Sequence, residues 1–70
     1  MRISARNQLQ GTVKTITHGA INSEVVLEIA PGIFIEAQVT TASVHNLGLN
    51  EGSTAYALIK ADSVMLGVDH

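Results

Sequence analysis

The stretch Val25-Val26-Leu27-Glu28-Ile29-Ala30-Pro31-Gly32-Ile33-Phe34-Ile35-Glu36-Ala37-Gln38-Val39 decides the fold class. Val25, Leu27 and Ile29 fall on one face, and Glu24, Val26 and Glu28 on the other. This period of two is the mark of a half-buried strand, here running from about Ala20 to Ile29. Ala30-Pro31-Gly32 then gives a strong turn signal. The proline ring presets φ for the turn, and glycine accepts a positive φ at no steric cost. Alternation resumes at once, with Ile33, Ile35, Ala37 and Val39 against Phe34, Glu36 and Gln38. Strands joined by so short a turn pair antiparallel, because a parallel pair needs a crossover of a dozen residues or more.

Working outward, Asn7 to Thr17 reads as a first strand. Leu9, Val13, Ile16 and the threonines give it β character, although the alternation is imperfect. His18-Gly19 reads as the turn that follows. Beyond the hairpin the period changes, and Thr40 to Leu47 reads as one or two turns of helix. Thr40 is placed as an N-cap accepting from the amide of Ser43. Val39 and Val44 have the spacing of a hydrophobic staple, and Gly48 is placed to end the helix. Asn50-Glu51-Gly52 is another turn. A fourth strand is expected from Ser53 to Lys60, a break at Ala61-Asp62-Ser63, and a fifth strand from Val64 to Val68. One domain, residues 1–70, is therefore expected to be all-β. The architecture is a small five-stranded OB-like Greek-key barrel with one short helix between strands 3 and 4. An SH3-like barrel is the main competitor.

A chain of 70 residues supports one domain. A domain of this size buries only about 60% of its unfolded surface, so small folds usually add disulfides, a metal or partner subunits. The chain has no cysteine, and His18, His45 and His70 show no metal-ligand spacing. Apolar residues make up 46% and charged residues 14%, against roughly a quarter charged in an average domain. Homo-oligomerisation is the remaining way to cover that surface. Net charge is −2, with Arg2, Arg6, Lys14 and Lys60 as the fixed cations. A nucleic-acid partner is not expected, since it calls for a basic stripe and stacking aromatics. No signal-peptide core and no membrane-spanning run is evident, which makes a cytoplasmic protein without a membrane partner the expectation.

No nucleophile–base pair, glycine-rich phosphate loop or metal motif occurs, so no enzymatic activity is expected. His45 reads as a helix-surface residue, His18 as a turn residue and His70 as a frayed terminus. Three segments have anion-binding chemistry. Ser4-Ala5-Arg6-Asn7-Gln8 is a run of donors in which Arg6 can grip an oxyanion through two parallel hydrogen bonds; its ordinary reading is a surface segment. The helix start at Thr40 to Ser43 offers backbone amides and hydroxyls; its ordinary reading is capping. Lys60-Ala61 offers a charge and turn amides where the fourth strand ends; its ordinary reading is a solvated strand end. Periodicity does not show whether the three converge.

Three longer runs carry a resemblance. They are Ile3-Ser4-Ala5-Arg6-Asn7-Gln8-Leu9-Gln10-Gly11, then Val39-Thr40-Thr41-Ala42-Ser43-Val44 with Leu47-Gly48-Leu49-Asn50-Glu51-Gly52, and Ala55-Tyr56-Ala57-Leu58-Ile59-Lys60-Ala61-Asp62-Ser63-Val64-Met65. Together they resemble the molybdate-binding Mop domain, the molbindin family, over essentially the whole chain. The Ser4–Gln8 run with a downstream Ile59-Lys60-Ala61 is the specific part. The Ala30-Pro31-Gly32 turn departs from the glycine-rich turn common in that family, away from the matched motifs.

The resemblance implies an OB-like fold in a homohexamer, a trimer of dimers, that binds molybdate or tungstate at subunit interfaces and needs no organic cofactor. It implies a principal site of Ser4, Arg6, Thr40, Ser43, Lys60 and Ala61 drawn from more than one subunit, with Ala61 contributing its backbone amide. It also implies a second type of site near the threefold axis, for which the His18-Gly19 turn is one possibility. The same domain occurs in molybdate-responsive regulators and in transport ATPases. No helix-turn-helix or nucleotide-binding domain accompanies it here, so the stand-alone form used for intracellular storage and homeostasis is expected. A regulatory oxyanion-sensing module acting through a partner protein is the alternative. A structural or nucleic-acid-binding barrel is a third reading, disfavoured by the shortage of basic and aromatic residues.

Molybdate at neutral pH is a fully deprotonated tetrahedral dianion that only accepts hydrogen bonds, so a site made of donors suits it. Phosphate keeps a proton and prefers one acceptor. No carboxylate falls within the three anion-binding segments, although Asp62 is adjacent. Sulfate matches molybdate in charge and hydrogen bonding, so its rejection depends on pocket size.

Overall fold

The computed structural model describes residues 1–69; His70, expected at a frayed terminus, lies outside them. The elements run β1 (Asn7–Thr17), β2 (Asn22–Ala30), β3 (Ile33–Thr40), α1 (Thr41–Asn46) and β4 (Thr54–Ile59), followed by a 3-10 turn at Ala61–Ser63. The strands form one antiparallel sheet in the order β3-β2-β1-β4. Three sequential strands with the fourth returning beside the first is the Greek-key arrangement expected from the sequence.

The hairpin is built as its sequence demands. Gly32 has φ of 77°, the conformation required at the second central position of a type II turn with proline at the first. The Glu28 carboxylate accepts from the Gly32 amide at 3.2 Å. Along β1 the imperfect alternation has a physical cause. The register slips by one residue between Val13 and Thr15, so Lys14 is the extra residue of a bulge. That insertion lets Val13 and Ile16, three apart, both face inward.

The core is small. Val13, Val25, Leu27 and Val44 are buried, with Ile16, Ile29, Ile35, Val39, Leu49, Ala55 and Ala57 packed around them. Val44 is the contribution of α1, and the local sequence fixes that helix at both ends. Thr40 Oγ1 accepts from the Ser43 amide. At the other end the Leu49 amide donates to Val44 O and the Gly48 amide to His45 O, with Gly48 at φ of 64°. This pair of bonds is a Schellman motif, and its accompanying apolar contact joins Leu49 to the core that holds Val44. The loop that follows is tied back to β1, since Val13 N donates to Ser53 O and Gly52 N to Val13 O, both at 2.8 Å.

The expected five-stranded barrel requires correction. The described residues form four strands, a half-barrel, and Val64 to Val68 adopts no regular structure. Met65 is 92% exposed and Leu66 96%. Strand-like composition supplies propensity, but a strand is stabilised by a neighbouring ladder and a buried face. The central strand β1 is already paired on both sides, and no strand of the sheet pairs with this segment.

Close packing gives one test. A Cβ at Gly11 would stand 2.6 Å from the Glu28 carbonyl oxygen and 2.9 Å from Leu27 Cγ. Gly11→Ala should therefore destabilise the protein by about 1–3 kcal/mol, the usual cost of overpacking. Urea denaturation measures this, and an unchanged midpoint would mean that the β1–β2 pair separates freely at that point.

Candidate functional site

Two of the three anion-binding segments are brought together by strand pairing. β1 and β4 run antiparallel, with Asn7 opposite Ile59, and the Asn7 side-chain amide donates to Ile59 O at 3.1 Å. The residues just before Asn7 and just after Ile59 must then lie side by side. Ser4, Ala5 and Arg6 line one cavity with Lys60, Ala61 and Asp62, with a volume of about 300 Å³. Gln8 Nε2 donates to Ala5 O at 3.0 Å, which holds the N-terminal segment against the start of β1. No side chain caps the 3-10 turn that opens at Ala61, so no cap takes up the amide of Ala61. The cavity thus gathers two fixed cations, a hydroxyl and turn amides. Asp62 is its one carboxylate.

Thr40 and Ser43 are elsewhere. Thr40 pairs with Asn22, and the Thr41 amide donates to Ile21 O at 2.7 Å. The Thr41 hydroxyl donates to Gly19 O at 2.7 Å and lies 2.8 Å from the buried Ser23 hydroxyl. These contacts fasten the start of α1 to the β1–β2 turn, at the end of β1 opposite Asn7. The full length of β1 separates it from the Arg6–Lys60 cavity, on the order of 30 Å for an extended strand of that length.

The donor set at the helix start is narrower than the sequence suggested. The amide of Ser43 is used by its cap and that of Thr41 by Ile21. Thr40 Oγ1 donates to Ser43 Oγ at 2.7 Å, which leaves the Ser43 hydroxyl proton directed elsewhere. Each hydroxyl has one proton to give, so of the Thr40, Thr41 and Ser43 hydroxyls the Ser43 one is left for a ligand.

One grouping was not visible in the sequence. The His18 and His45 rings lie 6.3 Å apart between centroids, inclined by 22°, beside a cavity of about 540 Å³ that also includes Asn50 and Glu51. Each histidine was read alone, as a turn and a helix-surface residue, and both are exposed as that reading requires. The Thr41 bonds to Gly19 and Ile21 bring them together, and no spacing rule links residues so far apart. Among the described residues no group of three or more His, Cys, Asp or Glu is placed to hold a metal ion. No helix is long and apolar enough to cross a membrane.

A Greek-key half-barrel with a cationic, donor-rich cavity at one end and the Ser43 hydroxyl at the other is a small all-β module whose exposed polar chemistry is that of hydrogen-bond donors. Residues 3–66 match the TOBE domain. A probable molybdenum-pterin-binding protein of Haemophilus influenzae is 48% identical over 69 residues, covering 99% of this chain and 100% of that one. Among solved structures, MopII from Clostridium pasteurianum superposes with a TM-score of 0.89 at 43% identity, covering 96% of this chain and all of that one. The cytoplasmic molybdate-binding protein ModG, in a crystal form with molybdate bound, matches with a TM-score of 0.92 and 52% identity; this chain spans 49% of it. The chain belongs to the TOBE-domain family, among its Mop molybdenum-pterin-binding proteins.

Proposed function

We propose that this chain binds molybdate, and tungstate with it, at sites assembled between copies of itself. In this reading it serves intracellular storage and homeostasis in the cytoplasm, without catalysis and without an organic cofactor. The observation that carries the reading is the division of the six candidate residues. Ser4, Arg6, Lys60 and Ala61 share one cavity, while Thr40 and Ser43 stand at the far end of β1. Neither group surrounds an anion alone, and one chain does not unite them. A second copy can, by setting its helix start against the Arg6–Lys60 cavity of the first. Arg6 and Lys60 then supply charge, Ser4 and Ser43 supply hydroxyl donors, Ala61 supplies its amide, and Thr40 orients Ser43. Such a donor-rich shell matches a dianion that only accepts hydrogen bonds.

The exposed apolar residues support the same assembly. Val64, Met65, Leu66 and Val68 are uncovered in one chain. In the assembly we propose, this tail packs its apolar side chains against a second copy. Tyr56 and Leu58, exposed on β4, add apolar surface for contact. The assembly proposed is the homohexamer, a trimer of dimers, with neither nucleic acid nor membrane as a partner.

Calorimetric titration with molybdate, tungstate, sulfate and phosphate, run alongside a light-scattering mass, tests this directly. Tight binding of the first two by a multimer is expected; a monomer indifferent to all four would sink the proposal. Arg6→Ala should weaken molybdate binding by at least about 1.5 kcal/mol, the loss of one charge-assisted hydrogen bond, and unchanged affinity removes Arg6 from the site. A chain ending at Ser63 should keep the four-stranded circular dichroism signature but lose the multimeric mass. A truncated chain that still assembles shows that the tail is not the link.

A further inference from the structure

We infer that Asp62 determines how tightly the oxyanion site holds its anion and which anions it prefers; this rests on the oxyanion-binding reading above. The cavity contains Arg6, Lys60 and Asp62, so one of its two fixed positive charges is offset within the cavity itself. The remaining carboxylates, Glu24, Glu28, Glu36, Glu51 and Asp69, are not among the residues that line it. Asp62 lies in the first turn of the 3-10 segment, where no side-chain cap bond is made and no residue is buried. A carboxylate in a first turn is favoured by the exposed amides there, but this one makes no packing contact that buries it. It lines the same cavity as Arg6 and Lys60.

An ionised carboxylate accepts hydrogen bonds and donates none. A molybdate, tungstate or sulfate dianion has the same character. Between two such groups there is repulsion and no hydrogen bond. Phosphate at neutral pH retains at least one P–OH, which can donate to the carboxylate. Asp62 thus penalises the fully deprotonated dianions relative to phosphate. It works against the donors supplied by Arg6, Lys60 and Ala61, keeping captured molybdate exchangeable. Pocket size then has to reject sulfate, and Asp62 plays no part in that choice because both dianions meet it alike.

Asp62→Asn replaces the charge by an amide of nearly the same shape that brings two donors. Molybdate and tungstate should then bind about tenfold more tightly, the effect of a unit charge roughly 6 Å from a dianion in a water-like dielectric. Sulfate should gain by a similar factor, and phosphate should gain little or weaken. The gain in molybdate affinity should shrink at high salt, because the removed repulsion is screened between exposed groups. Asp62→Glu, which keeps the charge, should reproduce the wild-type order of anions. Asp62→Ser serves as a second neutral variant should the asparagine alter the mass in solution. Calorimetric titration of these proteins with sodium molybdate, sulfate and phosphate at neutral pH gives the readout. Neutral variants that bind all three anions as the wild type does overturn the assignment of Asp62 while leaving the molybdate reading intact. A wild type that binds none of them overturns both.

Discussion

The pairing of β1 with β4, from Asn7 against Ile59 to Thr12 against Thr54, is the contact on which the rest of the molecule depends. It joins segments about fifty residues apart and turns a three-stranded meander into a Greek key. At one end it lays the residues before Asn7 beside those after Ile59, which creates the Arg6–Lys60 cavity. At the other, Val13 bonds the loop through Ser53 and Gly52, and so holds α1 where Val44 completes the core. Without this ladder Arg6 and Lys60 would be unrelated surface charges. Two like charges side by side are unfavourable in themselves. The ladder therefore does electrostatic work for the site as well as architectural work for the fold.

Much of the fold was legible because the determining interactions are local. The Ala30-Pro31-Gly32 turn and the flanking period of two set the hairpin. Thr40, Ser43, Val44 and Gly48 set a helix with both ends specified. Even the defect in the β1 pattern carried meaning, since the three-residue step from Val13 to Ile16 is the footprint of a bulge at Lys14. The fifth strand failed for the complementary reason. Val64 to Val68 has the residue types of a strand, but a strand exists only where something pairs with it. Composition reports propensity and does not report a neighbour.

The site was legible only in part, and the limit is again physical. Donor chemistry marked Ser4, Arg6, Lys60 and Ala61 singly. Their convergence follows from β1–β4 register, a long-range pairing that no period in the sequence encodes. The helix start was marked by its capping residues, but capping itself uses the Ser43 amide, and the tie to Ile21 uses that of Thr41. Reading the segment as free amides counted donors before asking where each hydrogen bond goes. The His18–His45 pair was invisible for the same reason as the cavity, since it depends on Thr41 reaching across to the β1–β2 turn.

The proposed assembly would link stability to binding. Among the described residues only four hydrophobic side chains are buried, a small core for the conformational entropy that folding removes. Large apolar residues on β4 and in the tail remain exposed, and the two halves of the proposed site lie at opposite ends of β1. The second copy proposed above would address both deficits at once, by covering apolar surface and by bringing the two sets of donors together. In the assembly proposed, an anion held between copies would neutralise the facing Arg6 and Lys60 and bind the assembled state in preference to the separated one. By mass action it must then stabilise that assembly, by an amount that grows with the ratio of free anion to its dissociation constant. If Asp62 weakens the anion's hold as inferred, it also weakens this coupling, so that the proposed assembly would not be tied to one fully loaded state.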